Sequence, residues 1–131
     1  MARSDGKEMT EGPRRPSGFE RVPLVRRCQL TFDDGHSRAA FLVNVSVVGA
    51  YVALDDAPPL GARIQCRFSF PGNSLEVQTE GAVVWLNPRQ QHPVHSLPPG
   101  IGLRFEQLSE GDRARIEAFV KDHLGSRAGP R

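Results

Sequence analysis

Cysteine, tryptophan and tyrosine are scarce in this 131-residue chain, which holds two, one and one. The cysteines, Cys28 and Cys66, form no C-x-x-C pair. Both fall among apolar strand residues, so they read as buried free thiols rather than metal ligands or a disulfide. No apolar run approaches the roughly 18–20 residues that span a bilayer, so no membrane insertion is expected. Residues Met1 to Gly18 lack the apolar core of a signal peptide, and a cytoplasmic protein is expected. The formal net charge is only +2, too small to argue for nucleic acid or a membrane surface. Exposed aromatics are also few. Most phenylalanines fall on core faces, leaving Tyr51 and Trp85, so no single-stranded nucleic-acid polymer is expected as partner.

Enzymatic chemistry lacks its parts as well. His36, His92, His95 and His123 accompany no nucleophile motif, acid pair or metal-ligand set. His92 and His95 form an H-x-x-H in a loop, without a third ligand nearby, and no metal is expected.

What is present is a chain of one-domain length, 38% hydrophobic, which is enough for a core without disulfides. Residues 1–17 read as a flexible tail, 18–125 as the domain and 126–131 as a short basic tail. Cys28, Leu30 and Phe32 alternate with polar residues in a first strand, and Asp33-Asp34-Gly35 signals a hairpin turn. The second strand runs from about Ser37 to Val47, with Phe41, Val43, Val45 and Val47 on the core face and Leu42, Asn44 and Ser46 outside. Gly49 turns the chain into a short third strand, Ala50 to Leu54.

Arg63 to Phe70 alternates strictly, with Ile64, Cys66, Phe68 and Phe70 on one face. Pro71-Gly72-Asn73 makes the next tight turn. Leu75 to Leu86 is a long strand with Leu75, Val77 and Thr79 facing in. Gly81 suggests a bulge or barrel corner within it. Beyond Gly81 both faces are apolar, which predicts cover on both sides. Gly100 to Phe105 is the last strand, its glycines leaving a bare backbone face beside Arg104. Ser109 and Asp112 open a helix with a capping-box-like start, Ile116, Phe119, Val120 and Leu124 give it one apolar stripe, and Gly125 is the expected stop. Six strands, short loops and one terminal helix predict a mainly β fold, a small six-stranded antiparallel barrel with one C-terminal α-helix.

Asn44-Val-Ser46-Val-Val-Gly49 stands near the middle of the most apolar segment. Taken alone, its residues read either as a strand end and turn or as a compact polar surface beside a close-approach glycine. Trp85 reads either as a core residue at the helix–barrel seam or as a wall for a planar ligand.

Together these stretches resemble the PilZ domain, a bacterial module that commonly senses cyclic di-GMP. Asn44 to Gly49 matches the family's [DN]-x-S-x-x-G. Gly81-Ala-Val83-Val-Trp85 resembles its G-x-V-x-W strand, and Gly100-Ile-Gly102-Leu-Arg104-Phe105 its G-x-G-[VL]-x-F strand. The terminal helix falls where the family has its closing helix. The resemblance implies a split-barrel fold, a signalling role through a protein partner, cyclic di-GMP as ligand with no required cofactor, and nucleotide contacts from Asn44, Ser46 and Gly49.

The family's other motif, R-x-x-x-R ahead of the first strand, is degenerate. Arg21 fits its second arginine, but Ser17 occupies the first position, and no two arginines of this lead-in stand four apart. Arg14 and Arg15 lie two or three residues further back. Two expectations therefore stand. Arg21 with Arg14 or Arg15 clamps the nucleotide, or the domain is an adaptor that does not bind it.

Overall fold

The computed structural model describes residues 20–88 and 97–128. Six strands form β1 (Val22–Thr31), β2 (Ser37–Val45), β3 (Gly49–Ala53), β4 (Arg63–Ser69), β5 (Glu76–Asn87) and β6 (Gly100–Phe105). A helix, α1 (Glu110–Ala128), follows. All pairings are antiparallel and close a barrel in the order β1-β2-β3-β6-β5-β4. The mainly β barrel with one C-terminal helix is the architecture that the strand pattern predicts.

The turns form where the sequence signals them. Gly35 takes a φ of 91° in the β1–β2 hairpin, where the Phe32 N–H donates to the His36 carbonyl over 2.9 Å. Gly72 takes a φ of 76° between β4 and β5. Both values lie in the left-handed region that glycine occupies without steric cost. Gly81 stands at a corner of the barrel. Gly81 and Ala82 pair with β4 on one side and β6 on the other, so the partner of β5 changes across them. The bulge itself lies further on, between Val83 and Trp85.

Leu30, Leu42, Val52, Ile64, Phe68, Val77, Val83 and Ile101 fill the interior. Cys28 and Cys66 are both buried and free. Helix α1 packs against β1 and β5 and adds Ile116 and Val120 to the same core. Phe119 stacks on Phe70 with ring centroids 4.7 Å apart. Ser109 caps the helix, its Oγ accepting from the Asp112 N–H over 3.0 Å. Asp112 does not complete the capping box. Its buried carboxylate turns to the Gln78 N–H, 3.3 Å away, and to Arg115.

Several strand expectations are corrected. Phe41 is exposed at 53%, while Ala40 and Leu42 are buried. The registers of β1–β2 and β2–β3 both shift near Val43, so the inward phase jumps from Leu42 to Val45. One extra residue reverses which side chains face the core. Leu75 is exposed at 56% because it belongs to the turn ahead of β5. Val84 and Trp85 are also half exposed, so the far end of β5 is not covered on both faces by the described residues. Helix α1 continues through Gly125 to Ala128, three residues past the expected stop. A mid-helix glycine costs only about 1 kcal/mol relative to alanine, which does not by itself end a helix.

Candidate functional site

The polar outer surface is assembled by the start of β1, the bulged end of β2, and the neighbouring rows of β3, β6 and β5. Pro23 pairs with Asn44, Asn44 with Tyr51, Tyr51 with Gly102 and Gly102 with Trp85. Side chains of directly paired residues share a face of the sheet. This row therefore runs laterally across five strands.

Arg21 precedes β1 and reaches back over it. Its Nη1 donates to Asn44 Oδ1 over 3.0 Å. Partial desolvation lowers the Arg21 pKa from its ordinary value. An arginine so shifted keeps its charge at neutral pH. Asn44 is half-buried and holds the guanidinium by a neutral contact, which leaves the positive charge uncompensated by a carboxylate at this pair.

Ser46 and Gly49 have local work. Ser46 is completely buried. Its Oγ accepts from the N–H groups of Val48 and Gly49 at 3.1 and 3.3 Å, while its own N–H donates to the Gly49 carbonyl at 2.8 Å. These bonds define the reversal between β2 and β3. A side chain at Gly49 is excluded, because a Cβ there would sit 2.1 Å from the Leu103 carbonyl oxygen. Of the six residues singled out from sequence, Arg21 and Asn44 meet directly. Ser46 and Gly49 form the turn that follows, and Arg14 and Arg15 lie outside the described residues, as do His92 and His95.

The glycine face of β6 is not bare. Tyr51 is buried, and a Cβ on Gly100 would come within 3.0 Å of its ring. The Tyr51 hydroxyl donates to the Pro98 carbonyl and accepts from Asn87 Nδ2 at 3.0 Å. Burial raises the Tyr51 pKa, against a smaller opposing effect of the Asn87 bond. Trp85 lies over Gly102, where an added Cβ would meet its Cβ at 3.3 Å. Its ring stands 5.4 Å from that of Tyr51, and it is exposed at 45%. Trp85 is thus a half-exposed surface residue and not a core residue at the helix seam. Tyr51, expected among the exposed aromatics, is sealed instead, and Phe41 takes its place outside. Arg104 is exposed and donates through Nε and Nη2 to one oxygen of Glu106 at 3.0 and 2.9 Å.

Strand pairing supplies what the linear motif omits. Tyr51 is seven residues from Asn44 in sequence but is its direct β-sheet partner. The signal was the alternation within Ala50 to Leu54, which places Tyr51 and Ala53 on one face. The pairing register that brings this face to Asn44 depends on the bulge at Val43. Arginines four apart do occur, as Arg63 and Arg67, but on β4, where they pair with Glu80 and Glu76.

The PilZ domain family model matches residues 15–122 of this chain. The chain belongs to the PilZ domain family. No curated protein matches it by sequence. Among solved structures it is similar to the Bacillus subtilis inhibitor of motility MotI/DgrA, with a TM-score of 0.69 and 18% identity, over 88% of this chain and 54% of that one. This chain thus spans about half the length of that protein. The PilZ domain of Escherichia coli YcgR, solved with c-di-GMP, gives a TM-score of 0.62 and 16% identity, over 88% of this chain and 98% of that one. Borreliella burgdorferi PlzA, also solved with c-di-GMP, gives a TM-score of 0.56 and 16% identity, over 82% and 41%. At these identities the likeness concerns the fold.

No helix among the described residues is long and apolar enough to cross a membrane. No group of metal-ligating side chains occurs among the described residues.

Proposed function

We propose that this PilZ domain is a cytoplasmic, non-enzymatic signalling module that takes cyclic di-GMP on the Arg21–Asn44 face. The observation that carries the reading is the contact between Arg21 and Asn44 beside the turn that Ser46 and Gly49 build. Cyclic di-GMP offers phosphates and guanine edges. A guanidinium donates bidentately to phosphate oxygens or to guanine O6 and N7. Asn44 supplies a neutral amide for a base edge, and the partly exposed Trp85 offers a ring for stacking. Arg14 or Arg15 brings the second guanidinium from the N-terminal segment. A ligand held by both the segment and the barrel changes the surface presented to a protein partner, in motility or cell-surface regulation.

A second reading, an adaptor that does not bind the nucleotide, is favoured by two particular observations. Ser17 stands where the motif has its first arginine. The Ser46 hydroxyl is buried and already accepts two backbone N–H groups. One missing charge-assisted contact costs about 1.5–3 kcal/mol, or roughly tenfold to a hundredfold in affinity. Calorimetric titration of cyclic di-GMP into the native chain and into Ser17→Arg separates the two. Silence of both ends the sensing reading. Binding by Ser17→Arg alone supports the adaptor.

A further inference from the structure

Further along the β1–β2 hairpin the outer surface changes character. Pro23 pairs with Asn44, whereas Arg27 pairs with Phe41. The strand between Arg21 and Arg27 covers roughly 20 Å at the usual rise per residue. Two depressions adjoin there. One, of about 340 Å³, includes Arg27, Gln29, Arg67 and Glu76 in its lining. The other, of about 380 Å³, is lined by Val25, Arg26, Arg27 and Ser69. They share Arg27 and Ser69 and form one groove along β1 and β4.

Positive charge in this groove exceeds negative charge. Arg26 donates to Ser69 Oγ at 3.1 Å, a neutral partner. Arg67 donates to Gln29 and lies 3.5 Å from Glu76. Arg27 has no side-chain hydrogen bond or ion pair among the described residues. Apolar surface accompanies the charge. Val25 is exposed at 77%, and Phe41, opposite Arg27, at 53%. Arginine beside an exposed aromatic side chain is a combination enriched at protein-binding surfaces. β1 and β4 are paired only over Gln29–Thr31 and Gln65–Arg67, so Val25 to Arg27 and Ser69 line the groove where the two strands no longer pair.

We propose that the β1–β4 groove docks an acidic protein segment that also carries aliphatic side chains. Its carboxylates answer Arg26, Arg27 and Arg67, and its aliphatic groups cover Val25 in the groove and Phe41 beside it on β2. A small free anion satisfies only the first requirement and leaves the apolar surface in water. The proposal does not depend on nucleotide binding at Arg21 and Asn44.

The test follows the backbone amides of the full isotope-labelled chain by NMR during titration with a glutamate-rich peptide carrying a pair of leucines. The expected shifts centre on Val25, Arg27, Phe41 and Arg67. Replacing the leucines by serine weakens binding, and Arg27→Glu weakens it about tenfold or more, with an unchanged thermal melt. Arg21→Ala leaves peptide affinity as it was. The proposal is overturned by shifts centred on Asn44 instead, by absence of shifts, or by equal affinity of the serine peptide. Inorganic phosphate producing the same shifts at the same concentration overturns it too, in favour of a small-anion site.

Discussion

Asn44 holds the Arg21 guanidinium through a single hydrogen bond of 3.0 Å, while Ser46, two residues on, is sealed from solvent. The two polar residues of one short motif thus do different work. Asn44 positions a charge at the surface, and Ser46 builds the turn. Their substitutions separate accordingly. Ser46→Ala leaves the Val48 and Gly49 N–H groups without their acceptor and is expected to cost about 1–3 kcal/mol of stability. Asn44→Ala removes a surface contact and is expected to cost less than about 1 kcal/mol. Urea unfolding of both variants measures the difference, and equal losses would refute the division.

Gly49 sets the distance between β3 and β6. An added methyl would overlap the Leu103 carbonyl at 2.1 Å, whereas at Gly102 it would meet Trp85 at 3.3 Å. The first neighbour is backbone in a paired strand at a distance no Cβ adopts, and the second is the Trp85 Cβ, which would have to yield only a few tenths of an ångström. Gly49→Ala is expected to destabilise by about 1–3 kcal/mol or more, and Gly102→Ala by clearly less. Chemical denaturation midpoints compare them directly.

The same contrast shows what could be read in advance. Strand number, hairpin positions and the capped helix follow from local signals, namely Asp34-Gly35, Pro71-Gly72 and Ser109. The inward phase of β2 does not. Ala40, Phe41, Leu42 and Val43 are all apolar, so either alternation is consistent with a core, and a bulge of one residue decides between them. Alternation back from Val45 predicts Phe41 inward, and it stands outside. The cover of Gly100 and Gly102 by Tyr51 and Trp85 is a matter of lateral pairing, which periodicity within one strand does not encode. The Asn44 motif was legible as a sequence pattern. The unequal exposure of its members became visible only with the turn bonds of Ser46.

Helix α1 rests on its cap and on a few core side chains. Ser109→Ala removes the acceptor for the Asp112 N–H and is expected to cost about 0.5–2 kcal/mol. Ile116→Ala opens a fully buried site and is expected to cost about 2–5 kcal/mol. Thermal melts followed by circular dichroism give both values, and a silent Ile116→Ala would contradict the helix's place in the core.

The buried thiols make the barrel sensitive to alkali. Hydrogen bonding with Cys28, burial and the charge of an ionised Cys28 push the Cys66 thiol well above its ordinary value of 9.0. Cys28 moves the other way, lowered by its bond to Cys66 and opposed by burial. Cys66 is the more completely sealed and governs the response. A raised folded-state pKa gives a contribution fully present below the ordinary thiol value and lost as pH rises through the folded value. Unfolding midpoints are therefore expected to fall above about pH 9. At pH 8 neither cysteine is expected to react with a thiol reagent until the chain unfolds.

The most direct measurement for the proposed site is calorimetric titration of cyclic di-GMP into the native chain and into Arg21→Ala under one buffer and salt condition. Binding by the native chain, weakened about tenfold or more in Arg21→Ala, is the expected result. No heat from the native chain up to high micromolar ligand, or equal affinity in the two proteins, would contradict a nucleotide site on the Arg21–Asn44 face.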